Sequence, residues 1–197
     1  MKLQGINFSK TATRLMYITT LMMLFSCQGQ EQKANKHEDE APVSLNKPPT
    51  LDISAATFMG DLEAIDQHVK AGSDLNKKDQ YGSTPLTIAA TFNKTEIAIA
   101  LINAGADLNM QSADGSTPLH TSAFFCRVEI VEALLEKGAD KTLKNNYGST
   151  PLESVSAPFN DVKNFYDQIS KDLGPLGFKL DYKYLETTRP LIADMLR

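Results

Sequence analysis

Tryptophan is absent from these 197 residues, and there are only three histidines and two cysteines. So few His and Cys leave little material for a zinc or iron–sulfur centre, and Cys27 and Cys126 form no Cys-x-x-Cys pair. There is no His-Glu-x-x-His and no Gly-rich phosphate loop. Dense Lys/Arg runs are missing as well. The formal net charge is −4; the segment 1–26 carries Lys2, Lys10 and Arg14 with no acid, so the rest holds 20 − 3 = 17 basic against 24 acidic side chains, or −7. That balance argues against a nucleic-acid-binding surface, which needs clustered positive charge. Long hydrophobic runs are lacking too. Leu15 to Phe25 is interrupted by Thr19 and Thr20, and roughly 11 residues is too short to cross a bilayer, which takes ~20.

What that N-terminus does have is the order of an export signal: a basic head, a short apolar middle and a small residue before a cut. Leu24-Phe25-Ser26-Cys27 resembles a bacterial lipobox, with Phe25 bulkier than usual. The resemblance implies a signal peptide over 1–26, removed so that Cys27 becomes an acylated N-terminus. The alternative is an ordinary cleaved signal with Cys27 incidental. Anchoring by more than one acyl chain is stable, each buried CH₂ contributing ~0.8 kcal/mol. Gln28, rather than Asp, follows the cysteine, which in similar lipoproteins points to the outer membrane, facing the periplasm or the cell surface. With Cys27 lipidated, Cys126 has no intramolecular partner, so the fold holds without a disulfide. The segment 27–49 reads as a lipidated N-terminus and disordered linker: Gln28 to Pro49 is polar, carries Pro42, Pro48 and Pro49, and has too few large apolar side chains to order itself. It would reach ~75 Å extended or ~26 Å as a coil. His37 within it lacks converging metal ligands.

Beyond the linker the sequence repeats. Thr-Pro-Leu occurs at Thr84-Pro85-Leu86, Thr117-Pro118-Leu119 and Thr150-Pro151-Leu152, and the intervals are equal: 117 − 84 = 33 and 150 − 117 = 33. Gly82, Gly115 and Gly148 keep the same register, as do Gly72, Gly105 and Gly138. Such a period marks stacked helical units that share a core between neighbours. The threonines suit helix N-caps, and the prolines fall at the first helical position, where a missing N–H costs nothing. Ile97, Leu101 and Ile102, then Ile130, Leu134 and Leu135, recur at helical spacing as the shared core. Small Ala89-Ala90 and Ser122-Ala123 allow close helix approach. Gly105 and Gly138 end second helices in a left-handed conformation.

These residues resemble the ankyrin repeat family. Asp79-Gln80-Tyr81-Gly82-Ser83-Thr84-Pro85-Leu86, Ala113-Asp114-Gly115-Ser116-Thr117-Pro118-Leu119-His120, Gly105-Ala106-Asp107-Leu108-Asn109 and Gly138-Ala139-Asp140 carry the likeness. It implies an all-α solenoid of stacked helix-turn-helix units with hairpin-like loops, of about four repeats including atypical caps. The domain is 50–197, with repeats near 50–78, 79–111, 112–144 and 145–197. Asn93 and Cys126 stand at the inter-helix turn where the family usually has Gly; Asn tolerates that backbone, while Cys126 implies mild strain. The last repeat carries an insertion, 158–187. Within it, Phe159, Val162, Phe165, Tyr166, Ile169 and Leu173 are spaced for an amphipathic helix, which Gly174-Pro175-Leu176-Gly177 stops. Phe178, Leu180, Tyr182 and Tyr184 alternate as in a short extended piece, and Thr188-Arg189-Pro190 restarts a helix with Leu191, Ile192, Met195 and Leu196 on one face.

Functionally, the resemblance implies a non-catalytic protein-protein interaction module that binds through loop tips and inner helices, while the missing motifs and the acidic balance point to no cofactor, no metal and no nucleic-acid partner. The candidate partner-binding residues are Tyr81, Met110 and Tyr147 at the tips, and Met59, Phe92 and Phe125, each one repeat period from the next, as an apolar column flanked by Phe58 and Phe124. The insertion folding over that column is the competing expectation, stronger for Phe125 than for Met59. An accessory or inhibitor subunit stabilising one envelope enzyme is the alternative function. An enzyme using Cys126 with His120 is a third reading; the resemblance assigns His120 a structural role instead. His68, on an outer helix, is expected to be solvated.

Overall fold

In the computed structural model, residues 49–197 are described. The signal peptide, Cys27 and the linker up to residue 48 lie outside them. The described residues contain helices and turns and no strand. Helices pair in the order α1 (Ile53–Met59) with α2 (Leu62–Lys70), α3 (Pro85–Thr91) with α4 (Thr95–Asn103), and α5 (Pro118–Phe124) with α6 (Val128–Glu136). Then come α7 (Pro151–Ser156), α8 (Phe159–Leu173), a 3-10 turn (Gly174–Leu176) and α9 (Tyr182–Leu196). The inner helices α1, α3, α5 and α7 pack in sequence, as do the outer helices α2, α4, α6 and α9. α9 also packs on α7, so it takes the second-helix place of the last repeat.

Local chemistry sets these boundaries. Thr84, Thr117 and Thr150 each accept an N3 backbone N–H, with proline at the first helical position. His120 and Glu153 reach back to the cap N–H and complete capping boxes. Three of the short inner helices, α1, α3 and α5, end at turns with positive φ: Gly60 at 79°, Asn93 at 55° and Cys126 at 54°. For Cys126 this backbone is uncommon and costs about 1–2 kcal/mol, which burial of the side chain offsets. The core is the layer between helix rows: Leu86, Leu101, Leu119, Ile130 and Leu134 are wholly enclosed, each contributing about 1.5–3 kcal/mol. Ala89, Ala90, Ser122 and Ala123 are buried at helix contacts, as their small size anticipates.

Polar side chains tie one repeat to the next. The Asn76 side-chain oxygen accepts the Asp107 N–H at 2.8 Å, and in the following repeat Asn109 does the same for Asp140. Arg127 donates to the carbonyls of Ala90 and Thr91, satisfying the C-terminal end of α3 from the following repeat. His68 is buried, not solvated: Nε2 donates to the Leu51 carbonyl at 2.7 Å, and Nδ1 lies 3.0 Å from Ser73 Oγ. The ring joins the residues before α1 to the end of α2.

The C-terminal segment differs from its expected course. Tyr182 and Tyr184 are helical rather than extended, because Asp181 caps α9 by accepting the Tyr184 N–H at 3.0 Å. The helix does not restart at Thr188. It runs unbroken from Tyr182 through Pro190, the missing N–H costing one ladder bond on an exposed side. No boundary falls at 187, and Leu191 points outward while Ile192 and Leu196 are buried. α8 is the amphipathic helix that its spacing predicts, but Phe165 is on its exposed side.

Candidate functional site

Side chains fasten α8 to the stack. The Arg189 guanidinium, buried in α9, donates to the Tyr166 hydroxyl at 2.7 Å and to the Ala157 carbonyl at 2.9 Å. Tyr166 in turn donates to the Phe124 carbonyl at 2.6 Å, and its ring stacks on Phe124 with centroids 4.5 Å apart. Burial pushes the Tyr166 phenol up to about 12, so it stays a donor. At the other end, Phe178 meets Phe125 and Phe92 edge-on, with centroids 5.3 and 6.0 Å apart, and Phe92 meets Phe58 at 4.8 Å. A ladder of aromatic rings thus runs from the first repeat to the insertion.

Held this way, the end of α8 faces the inner helices across a groove of about 1150 Å³. One side is the loop tips, with Lys77 to Tyr81 and Ser112 to Asp114. The floor is Ala55, Phe58, Thr87, Ile88, Thr91, Phe92, Thr121 and Phe125. The other side is Ile169, Asp172, Leu173 and Leu176. Asp52 also lines the groove; its hydrogen bond from Lys77 at 3.0 Å, with further bonding from Ser54, holds its carboxyl below the usual range. At Asp114 burial pushes upward, but hydrogen bonds from Ser112 and Ser116 outweigh it and lower the pKa.

Of the residues singled out in the sequence, the groove brings together Tyr81, Phe92 and Phe125. Tyr81 is 74% exposed at the mouth. Phe92 is half-buried and Phe125 only 6% exposed, so the column is continuous with the insertion rather than a free ridge. Met59, 66% exposed, Tyr147, 79% exposed, and the half-buried Met110 do not line the groove. Ile169, Leu173 and Leu176 also line the groove, although the sequence does not single them out for it. The helical spacing of Ile169 and Leu173 is legible in the sequence, whereas Leu176 falls in the stop that follows, and nothing local says which inner helices they face.

Cys126 and His120 are not set up as a nucleophile and base. The thiol is buried beside the Leu185 carbonyl at 3.9 Å, and burial pushes it up to about 11, with Arg189 and Arg127 only partly opposing. His120 is fully engaged elsewhere. Nε2 donates to the Ser149 carbonyl at 2.9 Å, and Nδ1 accepts from the Thr117 N–H at 3.2 Å. Burial lowers its pKa despite the Ser149 bond. Among the described residues, no cluster of His, Cys, Asp and Glu could hold a metal ion. No described helix is long and apolar enough to cross a membrane.

A family profile for ankyrin repeats, in three copies, matches residues 53–153. That is half of the chain, and the protein belongs to the ankyrin repeat family, whose members are protein–protein interaction modules. The all-helical stack is an ankyrin solenoid. Among solved structures, it is similar to the crystal structure of the ankyrin repeat domain of Bcl-3, described as a unique member of the IkappaB protein family. Identity is 29%, the TM-score 0.50, and the match covers 52% of this chain and 45% of that one. The chain therefore spans less than half the length of that relative. No curated protein matches. The profile match ends at residue 153, before α8 and α9.

Proposed function

We propose that the protein is a non-catalytic docking module that holds another protein in its concave groove, tethered to a bacterial envelope membrane by lipid on Cys27. The observation that carries the binding reading is the groove of about 1150 Å³ between loop tips and insertion, with an apolar floor of Phe58, Ile88 and Phe92. Concave sites with an apolar base and a few polar groups are where ligands dock. The buried Cys126 thiol and fully engaged His120 weigh against catalysis. Membrane placement rests on the basic head, the apolar stretch and the Leu24-Phe25-Ser26-Cys27 sequence.

The test is in-cell cross-linking of the full chain, comparing wild type with Cys27→Ser and Tyr81→Ser. Wild type should label with an alkyne fatty acid, fractionate with membranes and cross-link one recurrent partner. Cys27→Ser should abolish label and membrane association. Tyr81→Ser should weaken the cross-link without changing the fractionation. Soluble, unlabelled wild type sinks the anchor; a cross-link indifferent to Tyr81→Ser sinks the docking site.

A further inference from the structure

The groove differs from an open repeat surface in having a second wall, and that wall determines what fits. Ile169, Leu173 and Leu176 line the groove together with Phe58 and Phe92, so the insertion adds aliphatic side chains to its aromatic lining. Leu176 is 54% exposed although it lines the groove, so an apolar contact there is unfilled. A groove of about 1150 Å³, lined by loop tips, inner helices and the insertion together, has room for a stretch of polypeptide.

Charge selects further. Asp52, Asp79, Asp114 and Asp172 line the groove against Lys77 and Lys78, and Lys77 is paired with Asp52. Hydrogen bonds to Asp52 and Asp114 lower both carboxyls below the ordinary carboxylate range, so the two positions stay anionic well into acid. The described residues as a whole carry 14 basic and 20 acidic side chains, −6. A phosphate backbone is repelled by such a surface, and an acidic peptide is disfavoured at close range. Tyr81 sets an exposed aromatic ring at the mouth, a surface on which a lysine or arginine head group gains by cation–π attraction.

Resting on the docking reading above, we propose that the groove takes a segment of a partner protein in which aliphatic or aromatic side chains are flanked by lysine or arginine, and that the insertion supplies half of its recognition. Apolar side chains of the segment fill the space between Leu176 and Phe92, while its basic residues meet Asp172 on one wall and Asp114 and Tyr81 on the other.

The experiment pans the immobilised full chain against a phage-displayed library of random dodecapeptides. Enriched peptides are then resynthesised and measured by fluorescence anisotropy. Clones with Lys or Arg beside Leu, Ile or Phe are expected. Leu176→Ser and Asp172→Lys should each weaken binding about tenfold, the loss typical of a contributing interface side chain, with melting unchanged because both side chains are exposed. Added salt should weaken binding as well. Clones that need Tyr81 but are acidic, or are indifferent to Leu176→Ser and Asp172→Lys, overturn this inference and leave the docking module standing. A library yielding no clone sensitive to any groove variant overturns both.

Discussion

Replacing Phe178 by alanine tests whether the insertion is part of the fold. This ring is buried between Phe92 and Phe125, and it follows the turn that ends α8, where its N–H bonds the Leu173 carbonyl at 3.3 Å. Removing a buried phenylalanine costs about 3–5 kcal/mol, transfer and cavity together. That is a large share of the ~5–15 kcal/mol that holds a domain folded. At about 2–4 °C per kcal/mol for a domain of this size, the melting temperature should fall by about 6–20 °C in a circular-dichroism scan. A double-mutant cycle with Phe125→Ala should give a coupling of about 0.5–1.5 kcal/mol from the edge-on pair. Hydrogen exchange would show whether the loss is global or confined to 173–181. A variant that melts within about 2 °C of wild type, less than 1 kcal/mol would produce, with unchanged exchange at Phe178, refutes the view that this ring latches the insertion to the stack.

Three further outcomes follow from geometry and charge. Gly115→Ala should destabilise by about 2–3 kcal/mol and Gly148→Ala by only ~1, measured by urea unfolding; both have φ near 78°, but only at Gly115 would the new Cβ strike the Asn146 backbone N at 2.7 Å. Equal losses would show that the close approach of the two loop tips is not real. Stability should fall as pH rises from 9 toward 11, because the fold favours the protonated Cys126 thiol, whose pKa rises from about 9 to about 11; Cys126→Ala should remove a share of up to about 3 kcal/mol, and an unaltered alkaline profile contradicts the buried-thiol account. On the acid side, His120 is held neutral, its pKa lowered from 6.5, so its contribution is complete above pH 6.5 and lost as pH falls below it. His120→Asn should flatten that limb of a pH–stability curve, and an unchanged limb assigns the acid loss to other groups.

Much of the architecture was legible because an ankyrin unit is written locally. Thr84-Pro85, Thr117-Pro118 and Thr150-Pro151 announce helix starts through capping and a fixed φ, and Gly72, Gly105 and Gly138 mark the stops, each with positive φ. Core positions such as Leu101 and Leu134 follow from helical spacing, and the constant repeat interval stacks them on one another. Tyr81 was legible as an exposed tip aromatic for the same reason, and the aromatic column at Phe92 and Phe125 could be read from register alone.

Where locality ended, so did the reading. Alternation at Phe178, Leu180, Tyr182 and Tyr184 resembles a strand, yet the Asp181 cap and the packing of Leu185 and Ile192 make a helix from Tyr182 onward. His68 on an amphipathic outer helix reads as solvated until the Leu51 carbonyl, distant in the chain, meets its ring. The repeat, the starts and stops of its paired helices and its net charge can be read from the chain alone, since they depend on neighbours a few residues apart. It took the folded arrangement to show that Arg189 and Tyr166 clasp α8 to α5, that Phe178 closes on the aromatic column, and that Leu173 and Leu176 wall the groove. Those contacts join side chains distant in sequence, and their positions are set by packing that no local periodicity encodes.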